Sequence, residues 1–127
     1  MASESTSARD TKVCSRCGRR IEWRKKWAQH WDEVKWCSQA CRSKGVQQLD
    51  RQCEHVIREA LLHEAGLTIT DDVVSRRVSP ENPDEVRETV RCAARRLVAT
   101  GVCELVQGGR VVDPSTARGS FEIRLLR

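Results

Sequence analysis

Tyrosine is absent from this chain, and phenylalanine and methionine occur once each. Its aromatic content is therefore almost all tryptophan: Trp23, Trp27, Trp31 and Trp36, gathered in one stretch. No run approaches the roughly 20 apolar residues that a membrane-spanning helix needs, which excludes that class. The first eleven residues are rich in Ser and Thr and lack the apolar segment of a secretory signal, so they are expected to form a disordered tail. His30, His55 and His63 show no partnered arrangement of the kind that catalysis requires, and no small-molecule substrate is evident. Cysteine, by contrast, is plentiful. Seven cysteines, an odd number with two close pairs, do not suit a disulfide framework and suit a reducing compartment, so a cytoplasmic protein is expected.

The two pairs are Cys14-Ser-Arg-Cys17 and Cys37-Ser-Gln-Ala-Cys41. Zn²⁺ takes four ligands in a tetrahedron, and thiolates are its soft donors. A C-x₂-C pair bends the backbone into a knuckle that turns two sulfurs toward one ion. A C-x₃-C pair at the start of a helix does the same, because positions i and i+4 share a face. Free thiols and a redox C-x-x-C are the alternatives, but a redox motif comes as one pair in a βαβ context. One structural zinc on Cys14, Cys17, Cys37 and Cys41 is therefore expected.

All four tryptophans lie between the pairs, where a segment so short cannot build an ordinary core. Metal and indoles would replace one. Trp23, Trp27 and Trp31 fall at i, i+4, i+8, which predicts one face of a short helix. Ile21 with Trp23, and Val34 with Trp36, alternate as two short strands would. The expectation is strand, short helix, strand, then a helix capped by Ser38.

The net charge of +5 is unevenly spread. Residues 12–45 carry a net of +7, and residues 46–127 a net of −1. The cluster Arg24-Lys25-Lys26 sits among the tryptophans, and Arg16, Arg19 and Arg20 flank the first knuckle. Basic residues interleaved with aromatics suit phosphate or nucleic acid; a solvated face with no ligand is the plain alternative.

Gly45 is expected to mark the break between a first module and a second. After it, Leu49, Cys53, Val56, Ile57, Ala60 and Leu61, followed by Glu64, mark a helix ending at Ala65-Gly66, with Cys53 a buried thiol on the apolar face. Leu67 to Ile69 reads as extended. Thr70 caps a short helix, with Asp71 and Asp72 in its first turn. Asn82-Pro83 opens another, with Val86, Val90, Ala93, Ala94, Leu97 and Val98 on its buried stripe. Arg87, Arg91 and Arg95 form a row on a second face, suited to a nucleic-acid groove or to pairing with Asp84, Glu85 and Glu88. Gly108-Gly109 between β-rich runs is a hairpin signal, and Phe121, Ile123 and Leu125 alternate as a half-buried strand. Cys92 and Cys103 read as packing residues. This order of elements is that of a winged helix.

Residues Cys14-Ser-Arg-Cys17-Gly18-Arg19, Trp23-Arg24-Lys25-Lys26-Trp27 and Trp36-Cys37-Ser38-Gln39-Ala40-Cys41-Arg42 resemble the hallmark of a small bacterial zinc-finger family, domain of unknown function 2256. From Val56 onward the chain resembles a second uncharacterised family, 3253, which looks like a winged helix. Ala93-Ala94-Arg95-Arg96-Leu97, Gln107-Gly108-Gly109, Val112-Asp113-Pro114 and Ala117-Arg118-Gly119 carry that likeness. Its usual Gly-Pro-Ile-Arg ending is Gly119-Ser120-Phe121-Glu122-Ile123-Arg124 here. The resemblances imply the fold and the zinc ligands and bring no activity with them.

The expected architecture is α+β: a tail over 1–11, a small treble-clef-like zinc finger over 12–45 and a winged-helix domain over 46–127. The expected function is that of a zinc-binding accessory or regulatory protein contacting DNA or RNA through Arg24, Lys25, Lys26, Arg91 and Arg95. The alternative is an adaptor that binds a protein partner through the same two modules. Catalysis is not expected, because four cysteines leave zinc no open position.

Overall fold

A computed structural model of the chain describes residues 11–63 and 68–126. Among them are four α-helices and two small antiparallel sheets. The tail expected over 1–11 lies outside the described residues except for Thr11, which opens a strand.

Strands β1 (Thr11–Val13) and β2 (Arg20–Glu22) pair with Thr11 opposite Glu22, so the first cysteine knuckle occupies the turn between them. Cys14 N–H donates to the Arg19 carbonyl at 2.8 Å and closes that turn. The tryptophans do not share one helix. The segment breaks into two 3₁₀ turns, Lys25–Trp27 and Trp31–Glu33, separated at His30, whose φ of −139° is far from helical. The Lys12 ammonium lies 4.8 Å from the Trp31 ring and donates to the Trp31 and Val34 carbonyls, pinning the second turn from outside. Trp31 is buried, Trp27 stacks on it at 5.7 Å, Trp36 packs alongside, and Trp23 is exposed. No strand forms over Val34–Trp36; Lys35 accepts a single bond from Ser15 N–H.

Helix α1 (Gln39–Lys44) is capped by Ser38, whose hydroxyl accepts from Cys41 N–H at 3.2 Å. Cys37 therefore precedes the cap rather than lying in the first turn.

Helix α2 (Gln48–His63) buries Cys53, Ile57, Ala60 and Leu61. Leu49, expected on this face, is exposed. Asp50 is buried, and its carboxylate accepts from Gln47 N–H at 2.7 Å, half of a capping box. Glu64, the expected stop at Ala65-Gly66 and Leu67 lie outside the described residues. Strand β3 (Thr68–Thr70) runs into α3 (Asp71–Val78), where the Thr70 hydroxyl caps Val73 N–H. Helix α4 (Pro83–Ala99) follows with Pro83 at its first position. Strands β4 (Cys103–Gln107), β5 (Arg110–Val112) and β6 (Glu122–Leu125) complete a sheet of order β3-β6-β4-β5. Gly108-Gly109 turns β4 into β5, both at positive φ, as a two-residue hairpin loop requires. The helices bury their stripes against this sheet around Ile57, Leu61, Val74, Val90, Leu105 and Ile123. Among the described residues no helix is long and apolar enough to cross a membrane.

Candidate metal centre and the seam behind it

The β1–β2 turn delivers Cys14 and Cys17, and the capped start of α1 delivers Cys37 and Cys41. Their four sulfurs lie within 4.8 Å of one another, with Cys17 and Cys37 at 3.5 Å and Cys37 and Cys41 at 3.6 Å. A tetrahedral ion with metal–sulfur bonds of about 2.3 Å sets sulfurs about 3.8 Å apart, so this group can hold a metal ion, and an all-sulfur donor set is what Zn²⁺ takes. Backbone amides prepare the site for thiolates. Cys17 N–H and Cys37 N–H reach Cys14 Sγ at 3.5 and 3.4 Å. Burial alone would raise the Cys14 thiol, but the amides of Cys17, Cys37 and Arg16 outweigh it and bring it down to about 7. Burial, and then neighbouring sulfurs, push the Cys17 and Cys41 thiols up. The remaining cysteines are packing residues: burial pushes Cys53 up to about 11 and Cys103 up to about 12, which leaves them unreactive.

The knuckle is seated on the helical body. Arg95 and Arg96, both buried in α4, donate to the carbonyls of Cys17, at 3.1 Å, and of Arg16. Arg96 also reaches Glu54 at 2.6 Å and the Asp50 carbonyl at 3.2 Å. Arg16 returns the contact, donating to the Gly45 carbonyl at 2.6 Å and to the buried Asp50 carboxylate at 2.9 Å. Gly18 lies against α4 so closely that a Cβ there would stand 2.4 Å from the Arg95 Cβ, and its φ is +77°. Only glycine meets both demands. On the far side, Arg20 pairs with Asp113 at 2.9 Å, and its N–H donates to the Ser115 hydroxyl at 3.0 Å.

The structure thus brings the four cysteines together and leaves Arg24, Lys25 and Lys26 exposed. It does not leave Arg91 and Arg95 as an open row. Arg91 is held by the fully buried Asp71 at 2.7 Å and by Ser120, while Arg95 is buried beneath the knuckle. Sequence reasoning missed the structural duty of Arg16, Arg20, Arg96 and Asp50. The legible signal was the placement of Arg95-Arg96 between Ala94 and Leu97, inside the apolar stripe of α4.

Residues 5–44 match a family described as an uncharacterized protein conserved in bacteria (DUF2256), and residues 50–126 match one described as a protein of unknown function (DUF3253). The chain belongs to the DUF3253 family. The DUF2256 match spans all four clustered cysteines, and the DUF3253 match spans α4 and the Asp113–Gly119 loop. The two resemblances read from the sequence hold, in that order along the chain. No curated protein matches the chain.

Proposed function

We propose that this DUF3253 chain is a nucleic-acid-binding accessory protein built around one structural zinc. The observation that carries the reading is a set of cations without acidic partners. Arg24, Lys25, Lys26, Lys35, Arg42 and Lys44 are exposed, and none pairs with a carboxylate among the described residues. Three of them lie beside half-buried indoles: Lys26 is 5.2 Å from the Trp27 ring, and Trp27 and Trp36 line a groove of 790 Å³ with Lys26, Lys35 and Arg42. Asp32 and Glu33 also line it, so three cations and two carboxylates share the groove. Cations beside aromatic faces suit a phosphate backbone with stacked bases.

Zinc on Cys14, Cys17, Cys37 and Cys41 would tie the β1–β2 turn to α1. Four thiolates fill its coordination, which supports a structural role and no catalysis. The order of α2, β3, α3, α4 and the β4–β5 hairpin supports a winged helix for the body. In that reading α4 is the helix that would enter a groove, yet its Arg95 face carries Cys17 and Gly18, so phosphate contacts fall to the cysteine segment. An adaptor role is favoured by a different observation: most arginines of the body are already ion-paired, leaving it little charge for nucleic acid.

Binding of short single- and double-stranded DNA and RNA across a salt series tests the reading. The Arg24→Ala, Lys25→Ala, Lys26→Ala triple variant, checked for metal content, is expected to flatten the slope of log K against log salt by about 2 to 3. Unchanged slope in a folded triple variant removes this surface. Absence of salt-sensitive binding by the wild type leaves the adaptor role.

A further inference from the structure

A second concavity, of 450 Å³, lies where the start of β2, α4 and the Ser115–Gly119 loop meet, and Arg19, Arg91, Arg95 and Arg118 line it together with Glu88 and Thr116. We propose that this pocket binds a phosphate group carrying two negative charges, as in a phosphate monoester. The proposal does not rest on the nucleic-acid reading, since none of Arg24, Lys25 and Lys26 lines the pocket.

The charge balance is the first argument. Asp71 offsets Arg91 through the 2.7 Å bond to its Nε. Glu88 offsets Arg95, though at 3.4 Å and from an exposed position. Arg19 and Arg118 are exposed and have no acidic partner among the described residues. Two positive charges are left over, and a phosphate monoester carries about −1.5 to −2 at neutral pH. Four guanidinium groups lining one cleft repel, and an oxyanion relieves that repulsion while each planar fork offers paired donors to phosphate oxygens. Donors remain: Arg91 uses Nε on Asp71 and Nη2 on Ser120, leaving Nη1 without a partner among the described residues.

The second argument is that the pocket wall is held in place without a ligand. Thr116 and Ala117 N–H groups donate to the Asp113 carbonyl at 3.2 and 2.9 Å. Gln107 clamps the other end of the loop, donating to the carbonyls of Arg118 at 2.7 Å and Ser120 at 3.0 Å. The Arg20–Asp113 pair and the Arg20–Ser115 bond fix the loop to β2, and hence to Arg19. Arg19 comes from the DUF2256 segment, and Arg91 and Arg118 from the DUF3253 segment, so the pocket is complete only where the two are docked.

The test uses the full, metal-loaded chain titrated with inorganic phosphate at constant ionic strength, followed through the arginine Nε–H signals in ¹⁵N spectra. Saturable shifts at the Arg19 and Arg118 signals are expected. Arg118→Gln is expected to weaken phosphate about tenfold, the loss of one charge-assisted bond, while metal content and melting stay at wild-type values. The triple alanine variant at 24–26 should bind phosphate as the wild type does, which separates this site from the nucleic-acid surface. Tighter binding of a short DNA strand with a 5′-phosphate than of the same strand with a 5′-hydroxyl would assign the phosphate to a strand end. Equal binding of the two strands, with inorganic phosphate still saturable, would assign it to a small phosphorylated molecule. Shifts that do not saturate and that chloride reproduces, or unchanged phosphate affinity in both Arg19→Gln and Arg118→Gln, overturn the proposal.

Discussion

Ahead of Gly45 the buried apolar cluster is Cys14, Ile21 and Trp31; beyond it, fifteen buried residues from α2 to β6 pack as one core. The two regions also use cations in opposite ways. The cysteine segment keeps most of its lysines and arginines in solvent without acidic partners, whereas the body pairs Arg76, Arg87, Arg91, Arg96 and Arg124 with carboxylates. The exceptions are instructive. Among the described residues, Arg16 and Arg20 are the cysteine-segment cations that pair with acids, and both reach across to the body, at Asp50 and Asp113. A segment with too small a core borrows order from its neighbour, and its four clustered cysteines can add a metal ion. Charge is committed where the neighbour is and left free elsewhere.

Removing the metal is the harshest way to break this comparison. Cys37→Ser, or chelation, is expected to unfold the cysteine segment, because a structural zinc supplies about 10 kcal/mol or more of its folding free energy. The body should lose stability as well, by about 1 to 2 kcal/mol, since the Arg95 and Arg96 hydrogen bonds to the Cys17 and Arg16 carbonyls would be exchanged for water. Calorimetry of the holo and chelated protein reads both effects, and an unshifted melting transition of the body would show two independent halves.

The next largest effect comes from the seam itself. Arg96→Met should cost about 2 to 3 kcal/mol by taking a donor from the Arg16 and Asp50 carbonyls and leaving Glu54 with Arg51 alone. Lys25→Ala, on the exposed surface, should stay within about 0.5 kcal/mol of wild type. Urea midpoints of the two variants compare directly, and equal midpoints would erase the distinction between committed and free cations.

Gly18→Ala is expected to cost about 2 to 3 kcal/mol, through the clash with Arg95 and a left-handed backbone. Gly109→Ala is the control: its φ is +80° and nothing lies within 4 Å, so it carries only the backbone strain of about 1 kcal/mol. A Gly18 cost no greater than the Gly109 cost would mean that the knuckle moves freely on α4.

The smallest effect is at Asp113. The Ser115 amide, and then the Arg20 guanidinium, hold its carboxyl below the usual carboxylate range. Its stabilising contribution is therefore present above about pH 4 and is lost as pH falls through the lowered folded value. The pair is partly exposed, so the contribution stays under about 1 kcal/mol. Asp113→Asn should be less stable than wild type at pH 7, with the difference closing by about pH 2. A gap that persists there would assign the contact to packing.

What the sequence made legible was local. Cysteine spacing, the Ser38 and Thr70 caps, the Gly108-Gly109 hairpin and the apolar stripes of α2 and α4 are set by residues within a few positions of one another, and each appears as expected, save that Leu49 at the start of the α2 stripe is exposed. The tryptophan helix failed because Lys12 and the His30 backbone, neither visible in an i, i+4, i+8 pattern, divide the segment into two turns. The seam was illegible for a related reason. An arginine row on a helix reads the same whether it faces water or a neighbour, and only the fold shows that the Cys17 carbonyl stands opposite Arg95.

Seating the knuckle joins residues far apart in the order of synthesis. Cys17 to Arg95, Arg16 to Arg96 and Arg20 to Asp113 span 78, 80 and 93 residues. On a ribosome adding about 5 to 20 residues per second, the cysteine segment emerges roughly 4 to 20 seconds before the surface that receives it. During that interval the knuckle lacks its contact with α4, and an ion held by the four sulfurs would be what keeps its shape. Metal binding ahead of docking is the order this separation favours, with α4 closing later over a knuckle that the ion would already have set.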